Sequence, residues 1–265
     1  MDARPRLVVF TDLDGTLLDH ETYRYDPALE ALEALRAFGG ALVLASSKTA
    51  AEIAPLRKAL GAQAWPAITE NGAGLLAPFE DALAEGATYS GLRQALDALP
   101  AALRQAFSGF GDLSVDELSS VTGLSHEAAR LAQMRSFSEP GIWRGNPGDL
   151  DTFVTKLAEK GITAQQGGRF LTLSYGGTKA DRVKEITAAY AADRTLALGD
   201  APNDIGMLEA ADIGIIVKNP HGKALGPLKG EAQGTIIRTA APGPDGWNEA
   251  VLAQLARFAS KETAP

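Results

Sequence analysis

Asp12-Leu13-Asp14-Gly15-Thr16 sets two carboxylates two residues apart. The apolar run at 6–10 precedes them, so the pair stands at the carboxyl end of an expected buried strand. Ligands of open α/β sheets bind outside such ends. Two ionised carboxylates this close repel each other. A cation between them relieves the repulsion, and a carboxyl of raised pKa is a usable general acid. Taken alone, the segment reads equally well as an acidic turn with Thr16 as a cap. A second acidic segment, Gly199-Asp200-Ala201-Pro202-Asn203-Asp204, follows another apolar run at 194–198. If both runs are strands of one parallel sheet, their acidic ends share an edge. Two or three carboxylates then converge on a hard metal ion. Asp204 also reads as a cap for the helical segment 205–211.

Ser46 closes the apolar run 41–45, and Lys179 opens a helical segment, 179–192. A hydroxyl, the amides of a helix start and an ammonium are the donors that a phosphoryl group requires. Each also has a plain structural reading. Ser46 or Thr49 would cap the helix that follows, and Lys179 would be a solvated lysine. Arg182 and Lys184 read as surface charges.

The elements around these residues follow from periodicity. Strand runs at 6–10, 41–45 and 67–69 alternate with helical stretches at 27–38 and 50–61, the pattern of a parallel α/β sheet. The middle of the chain differs: helices at 92–107, 125–134 and 149–160, a turn with a short helix at 114–118, and a hairpin of 162–165 with 169–174. The α/β pattern then returns with a helix at 205–211 and a strand at 213–217. A helix within 246–260 should pack back on the core. No repeat or low-complexity segment is present.

Composition narrows the chemistry. The 265 residues hold 25 Lys and Arg against 33 Asp and Glu, a net charge of −8. Nucleic acid and membrane are therefore poor partners. At about 150 residues per domain, the length suits one large domain or two modest ones. Cysteine is absent, which excludes a thiolate metal site, and three His leave little material for a multi-His centre. A divalent ion would sit among oxygens, which favours Mg²⁺. The apolar runs are shorter than the roughly 7–15 residues of a signal peptide core or the roughly 20 of a membrane span. A soluble, cytoplasmic protein is expected.

DLDGTL at 12–17, Ser46, Lys179 and GDAPND at 199–204, in that order and at those strand ends, resemble the four motifs of the haloacid dehalogenase (HAD) superfamily of phosphotransferases. The resemblance spans the chain. It implies an α/β fold, a Rossmann-like parallel-sheet core with an inserted α+β cap domain. The core would comprise residues 1–82 and 177–265, and the cap residues 83–176. Asp12 would be the nucleophile and Asp14 the acid and base. Mg²⁺ would be held by Asp12, the Asp14 carbonyl and Asp200, with Asp204 and Asn203 behind them or on a bound water. Ser46 and Lys179 would bind the phosphoryl group.

Further segments, LLDHETY (17–23), SSKT with Glu52, ENGA (70–73), FSEP (137–140) with Trp143, GGRF (167–170) and GPDGWN (243–248), resemble the mannosyl-3-phosphoglycerate phosphatases. That implies a small phosphorylated sugar acid as substrate. Arg135 and Arg169 would be candidates for its carboxylate, and Trp143 would join cap to core or stack on the sugar. Related sugar phosphatases of the glucosyl-3-phosphoglycerate or sucrose-phosphate type are the nearest alternative. A phosphomutase and a non-catalytic phosphosugar binder are remoter ones. Oligomeric state is not legible.

Overall fold

A computed structural model describes residues 4–82 and 86–262, the last two without their side chains. Val8–Thr11 (β1) is buried at every position. A short helical turn leads into α1 (Leu29–Ala37), followed by β2 (Ala41–Leu44) and α2 (Ala50–Ala59). Thr49 caps α2 in a reciprocal box with Glu52, which satisfies amides that the first helical turn leaves open. Next come β3 (Ala67–Thr69) and β4 (Gly74–Leu76).

The middle of the chain holds α3 (Ala87–Asp97), α4 (Ala101–Ala106), β5 (Phe107–Gly109), α5 (Val115–Thr122) and α6 (His126–Ala132). It continues through β6 (Ser138–Trp143), α7 (Pro147–Ala158), β7 (Thr163–Gly167) and β8 (Phe170–Ser174). The last third is α8 (Lys179–Tyr190), β9 (Thr195–Gly199), α9 (Ile205–Ala210), β10 (Ile213–Lys218), β11 (Ile236–Pro242) and α10 (Gly243–Glu262).

The central sheet runs β11-β10-β9-β1-β2, and its pairs are parallel. Alternation along β1 sends successive side chains to opposite faces. Val9 joins one apolar cluster with residues of α1, α2 and α10, while Val8 and Phe10 join another with residues of α8 and α9. The sheet is therefore covered on both faces, as parallel sheets require. Thr11 registers with Leu44 on one side and Leu198 on the other. That register delivers Asp12, Ser46 and Asp200 to one edge.

Several expectations are corrected. Ala67–Thr69 is not a strand of the five-stranded sheet; it pairs antiparallel with β4, and an isolated parallel bridge, Ala45 to Ile68, ties it to the chain just past β2. The helix expected over 92–107 is two helices, parted at Pro100, which lacks the amide a helix interior needs. Strands β4, β5, β6 and β11 have no counterpart in the sequence reading. The hairpin forms, as β7 with β8, inside a four-stranded antiparallel sheet ordered β5-β6-β8-β7. This sheet has its own apolar core with α3 and α7. The boundary expected at 82/83 abuts residues 83–85, which lie outside the described residues. No described helix is long and apolar enough to cross a membrane.

Candidate active site

Asp12 leaves β1 with its amide bonded to the Leu198 carbonyl (2.9 Å). Its own carbonyl accepts from Thr11 Oγ1 (2.7 Å), which in turn accepts from Trp247 Nε1 (3.0 Å). The indole of the C-terminal helix thus props the strand end that presents Asp12. Lys179 arrives from the first turn of α8, fixed by a capping box between Thr178 and Asp181. Its ammonium is buried between Asp12 Oδ1 (2.6 Å) and Asp204 Oδ1 (2.7 Å). The two carboxylates outweigh burial and hold Lys179 well above the ordinary lysine range. A solvated lysine is thereby ruled out.

Asp200 stands past β9. Its oxygens accept from Thr16 Oγ1 (2.7 Å) and Asn219 Nδ2 (2.8 Å). Gly15 makes this approach possible. Its φ is +82°, and a Cβ there would lie 2.5 Å from Asn219 Nδ2. Asp204 does not cap α9 through its side chain; Oδ2 instead folds back onto the Asp200 and Ala201 amides (3.2 and 3.1 Å).

Asp12, Asp200 and Asp204 each bring a carboxylate oxygen within 4.8 Å of the others. Three carboxylates against one ammonium leave a charge of −2 when all are ionised. Burial raises Asp12 well above the usual carboxylate range, with Lys179 opposing and the two neighbouring acids adding to the rise. Burial likewise raises Asp200, against its bonds from Asn219 and Thr16. An all-oxygen pocket with this charge deficit fits a hard divalent cation.

Two further side chains of these loops have protein partners, and neither bears on the Asp14 backbone carbonyl expected to meet the metal. Asn203 Nδ2 donates to Asn71 Oδ1 (3.2 Å). The Asp14 carboxylate lies outside the acidic group: Oδ2 pairs with Lys48 Nζ (2.7 Å), and Oδ1 is buried without a partner. Burial works against the Lys48 charge, but Asp14 prevails and raises its pKa. Ser46 is buried beyond β2, its Oγ accepting from the Lys48 amide (3.3 Å).

The turn Glu70-Asn71-Gly72 takes three left-handed residues in succession, φ +51°, +58° and +98°. Its Glu70 and Asn71 amides donate to the carbonyls of Lys48 and Ser46 (2.9 Å each). Gly72 lies so close to α8 that a Cβ would meet Thr178 C at 2.1 Å. Arg182, expected at the surface, donates from Nε to Gly72 O (2.9 Å) and ties this turn to α8.

The two arginines expected to meet a carboxylate are bound to protein groups. Arg135 is buried against Glu70 (Nε to Oε2, 3.2 Å) and donates to Ser47 O (3.2 Å) and Ser138 Oγ (2.6 Å). Glu70 also accepts from the Ser136, Phe137 and Ser138 amides. Arg169 sits at the β7–β8 hairpin, donating to the carbonyls of Val121 and Thr122 at the end of α5 (3.0 and 3.2 Å). Trp143 packs on Phe153, ring centroids 4.8 Å apart, within the second sheet's core. This packing lies within the second sheet's own core rather than between the two sheets.

Thr16, Lys48, Glu70, Asn71 and Asn219 were not singled out for the site by sequence. Thr16 and Lys48 carried a signal, each lying two residues past a residue that was. Asn219 carried none, since it follows a strand that bears no motif.

The model of the haloacid dehalogenase-like hydrolases matches residues 9–90 and 143–226, well over half of the chain. The chain belongs to this family. Haloacid dehalogenase-like hydrolases generally use a divalent metal, in keeping with the acidic pocket. Similar solved structures include a Thermoplasma acidophilum protein at 18% identity, covering 96% of this hydrolase and 100% of that chain, with a TM-score of 0.66. Another is the sucrose-phosphatase of a Synechocystis species, solved with sucrose and phosphate (19% identity, 95% and 98% covered, TM-score 0.62). A third is a HAD-superfamily phosphatase from Bacteroides thetaiotaomicron (17% identity, 96% of each chain, TM-score 0.62). At these identities the likeness establishes the fold, a mixed α/β architecture built on a parallel central sheet.

Proposed function

We propose that this hydrolase is a phosphatase for a small phosphorylated sugar acid, mannosyl-3-phosphoglycerate, releasing phosphate and mannosylglycerate. The observation that carries the phosphatase reading is the Asp12 carboxylate, held at the sheet edge by a buried Lys179 beside two further acids. The substrate rests on the sequence resemblance. It gains support from a neighbour of the same fold that was solved with a sugar and phosphate.

In this reading an Asp12 oxygen attacks phosphorus in line, and the bond from phosphorus to the glycerate oxygen breaks. Asp14 delivers a proton to that leaving oxygen. Asp14 then takes a proton from the water that attacks the aspartyl phosphate, and the bond from phosphorus to Asp12 breaks. The Ser46 hydroxyl and the Lys179 ammonium hold phosphoryl oxygens as charge shifts between them. Asp12, the Asp14 carbonyl and Asp200 would hold Mg²⁺, with Asp204 behind them; the ion supplies neutralisation of phosphoryl charge. Residues 83–176 act as a lid that shields the acyl phosphate from stray water.

Phosphate release from a panel of sugar phosphates and sugar-acid phosphates, with Mg²⁺ and with chelator, tests this. Mannosyl-3-phosphoglycerate should have the highest kcat/KM, and chelator should abolish turnover. Asp12→Asn should lower turnover by at least about a thousandfold and abolish covalent phosphoryl labelling. Full turnover of that variant, or of metal-stripped protein, refutes the mechanism. The likeness to sucrose-phosphatase favours a neutral sugar phosphate as a second reading, and the same panel distinguishes the two.

A further inference from the structure

An anionic substrate entering a chain of charge −8 needs a local cation. Lys179 is enclosed by two carboxylates, Arg135 is buried against Glu70, and Arg169 is spent on helix carbonyls. Lys48 is paired as well, but its partner is Asp14, the residue proposed to protonate the leaving oxygen. The Lys48 side chain is 21% exposed, and its ammonium lies 2.7 Å from Asp14 Oδ2. It therefore stands at the open side of the residue proposed to protonate the leaving oxygen.

Beside it stands an aromatic ring. The Lys48 ammonium is 5.6 Å from the centroid of Tyr23, and Tyr23 is 52% exposed. A large ring left in water is a poor use of apolar surface, and Tyr23 also holds φ at +56°. A bulky residue in the left-handed region is strained, and such strain persists where the surroundings enforce it. Here they do. Asp19 Oδ1 accepts from the Glu21 and Thr22 amides and from Thr22 Oγ1. The Tyr23 amide donates to Asp19 O (3.0 Å), and the Asp19 amide to Arg24 O (2.9 Å). The turn is fastened in turn to the acidic loop through Leu18 N to Leu13 O (2.8 Å). The ring is thus presented in a fixed place relative to Asp14.

We propose that Lys48 and Tyr23 form the subsite for the non-phosphorylated end of the substrate, the ammonium taking a carboxylate and the ring lying against a sugar. The proposal rests on the phosphatase reading above. Reach agrees with it. In such a substrate the carboxylate is two carbons beyond the carbon that bears the ester oxygen, a few bonds of roughly 1.5 Å each, and Lys48 is the cation in contact with the acid proposed to meet that oxygen. A cation and an aromatic face side by side recognise a glycosylated hydroxy acid better than a neutral sugar.

The test compares substrates within each variant. Wild-type kcat/KM is measured for glycosylated 3-phosphoglycerate and for the matching glycosylated glycerol 3-phosphate, which has a hydroxymethyl group in place of the carboxylate. The acid should be preferred by about ten- to a hundredfold, the worth of a charge-assisted bond. Lys48→Gln should collapse that ratio towards one, and Lys48→Arg should keep most of it. Tyr23→Asn suits the left-handed backbone. It should reduce the preference for glycosylated over plain 3-phosphoglycerate by about three- to tenfold. Melting temperatures identify a variant that fails to fold. Hydrolysis of p-nitrophenyl phosphate by the wild type reports the phosphatase reading separately: if it is absent, that reading falls. If it is present while the acid-to-alcohol ratio is near one in the wild type, or is unchanged in Lys48→Gln, the subsite is overturned.

Discussion

At the scale of single residues, three carboxylates and one ammonium share a pocket nearly closed to water. Asp12 and Asp200 carry raised pKa values, chiefly from burial. The folded, metal-free protein therefore binds more protons than the unfolded chain between the ordinary and the raised carboxylate pKa. Its stability falls as pH rises through that window. A divalent ion that neutralises the pocket removes the effect. The expected outcome is a rise in melting temperature on adding Mg²⁺ that is larger at pH 8 than at pH 5. An equal rise at both values would mean that these acids are not what the ion meets.

Legibility was uneven at this scale. Asp12, Asp200, Asp204 and Lys179 were visible as acids and a base at expected strand and helix ends, and the fold brings them together. Arg135 and Arg169 were not readable in the same way. The sequence shows a guanidinium but not its company, and here Glu70 and two helix carbonyls take the donors.

At the scale of elements, the turn after β3 joins three parts of the molecule. Glu70 receives the amides leading into β6, Asn71 meets Asn203 and Ser46, and Gly72 abuts α8. Gly72→Ala should push Thr178 and Lys179 away and impose strain at φ +98°, at a cost of about 1–3 kcal/mol. The predicted signature is a lower melting temperature together with a raised KM for phosphate esters, read by calorimetry and steady-state kinetics. An unchanged KM would detach the turn from phosphate binding. Four of the five parallel strands were legible because burial makes them continuous apolar runs, whereas β11, at the sheet edge and alternately exposed, was not. β3 was misplaced because a three-residue strand cannot declare its partner. β6, Ser138-Glu139-Pro140-Gly141-Ile142-Trp143, escaped notice because its proline and glycine mimic a loop.

At the scale of the whole molecule, the central sheet draws β1 and β2 from the first 44 residues and β9 to β11 from the last third. α10 then crosses back to seat Trp247 against Thr11. Trp247→Phe removes that bond and some core volume. It should lower stability by about 1–3 kcal/mol, seen as a drop of several degrees in melting temperature. Turnover should fall more than KM rises, because the strand end beneath Asp12 loses its prop. Loss of stability with kcat intact would confine the indole to packing. The bond also bears on how damaged genes should be read. A stop codon after position 242 spares all four chemical motifs, so a translated fragment would pass any inspection that checks motifs alone. It would nonetheless lack the helix on which its first strand leans, and an intact motif set is no warrant that a shortened gene still encodes a working enzyme.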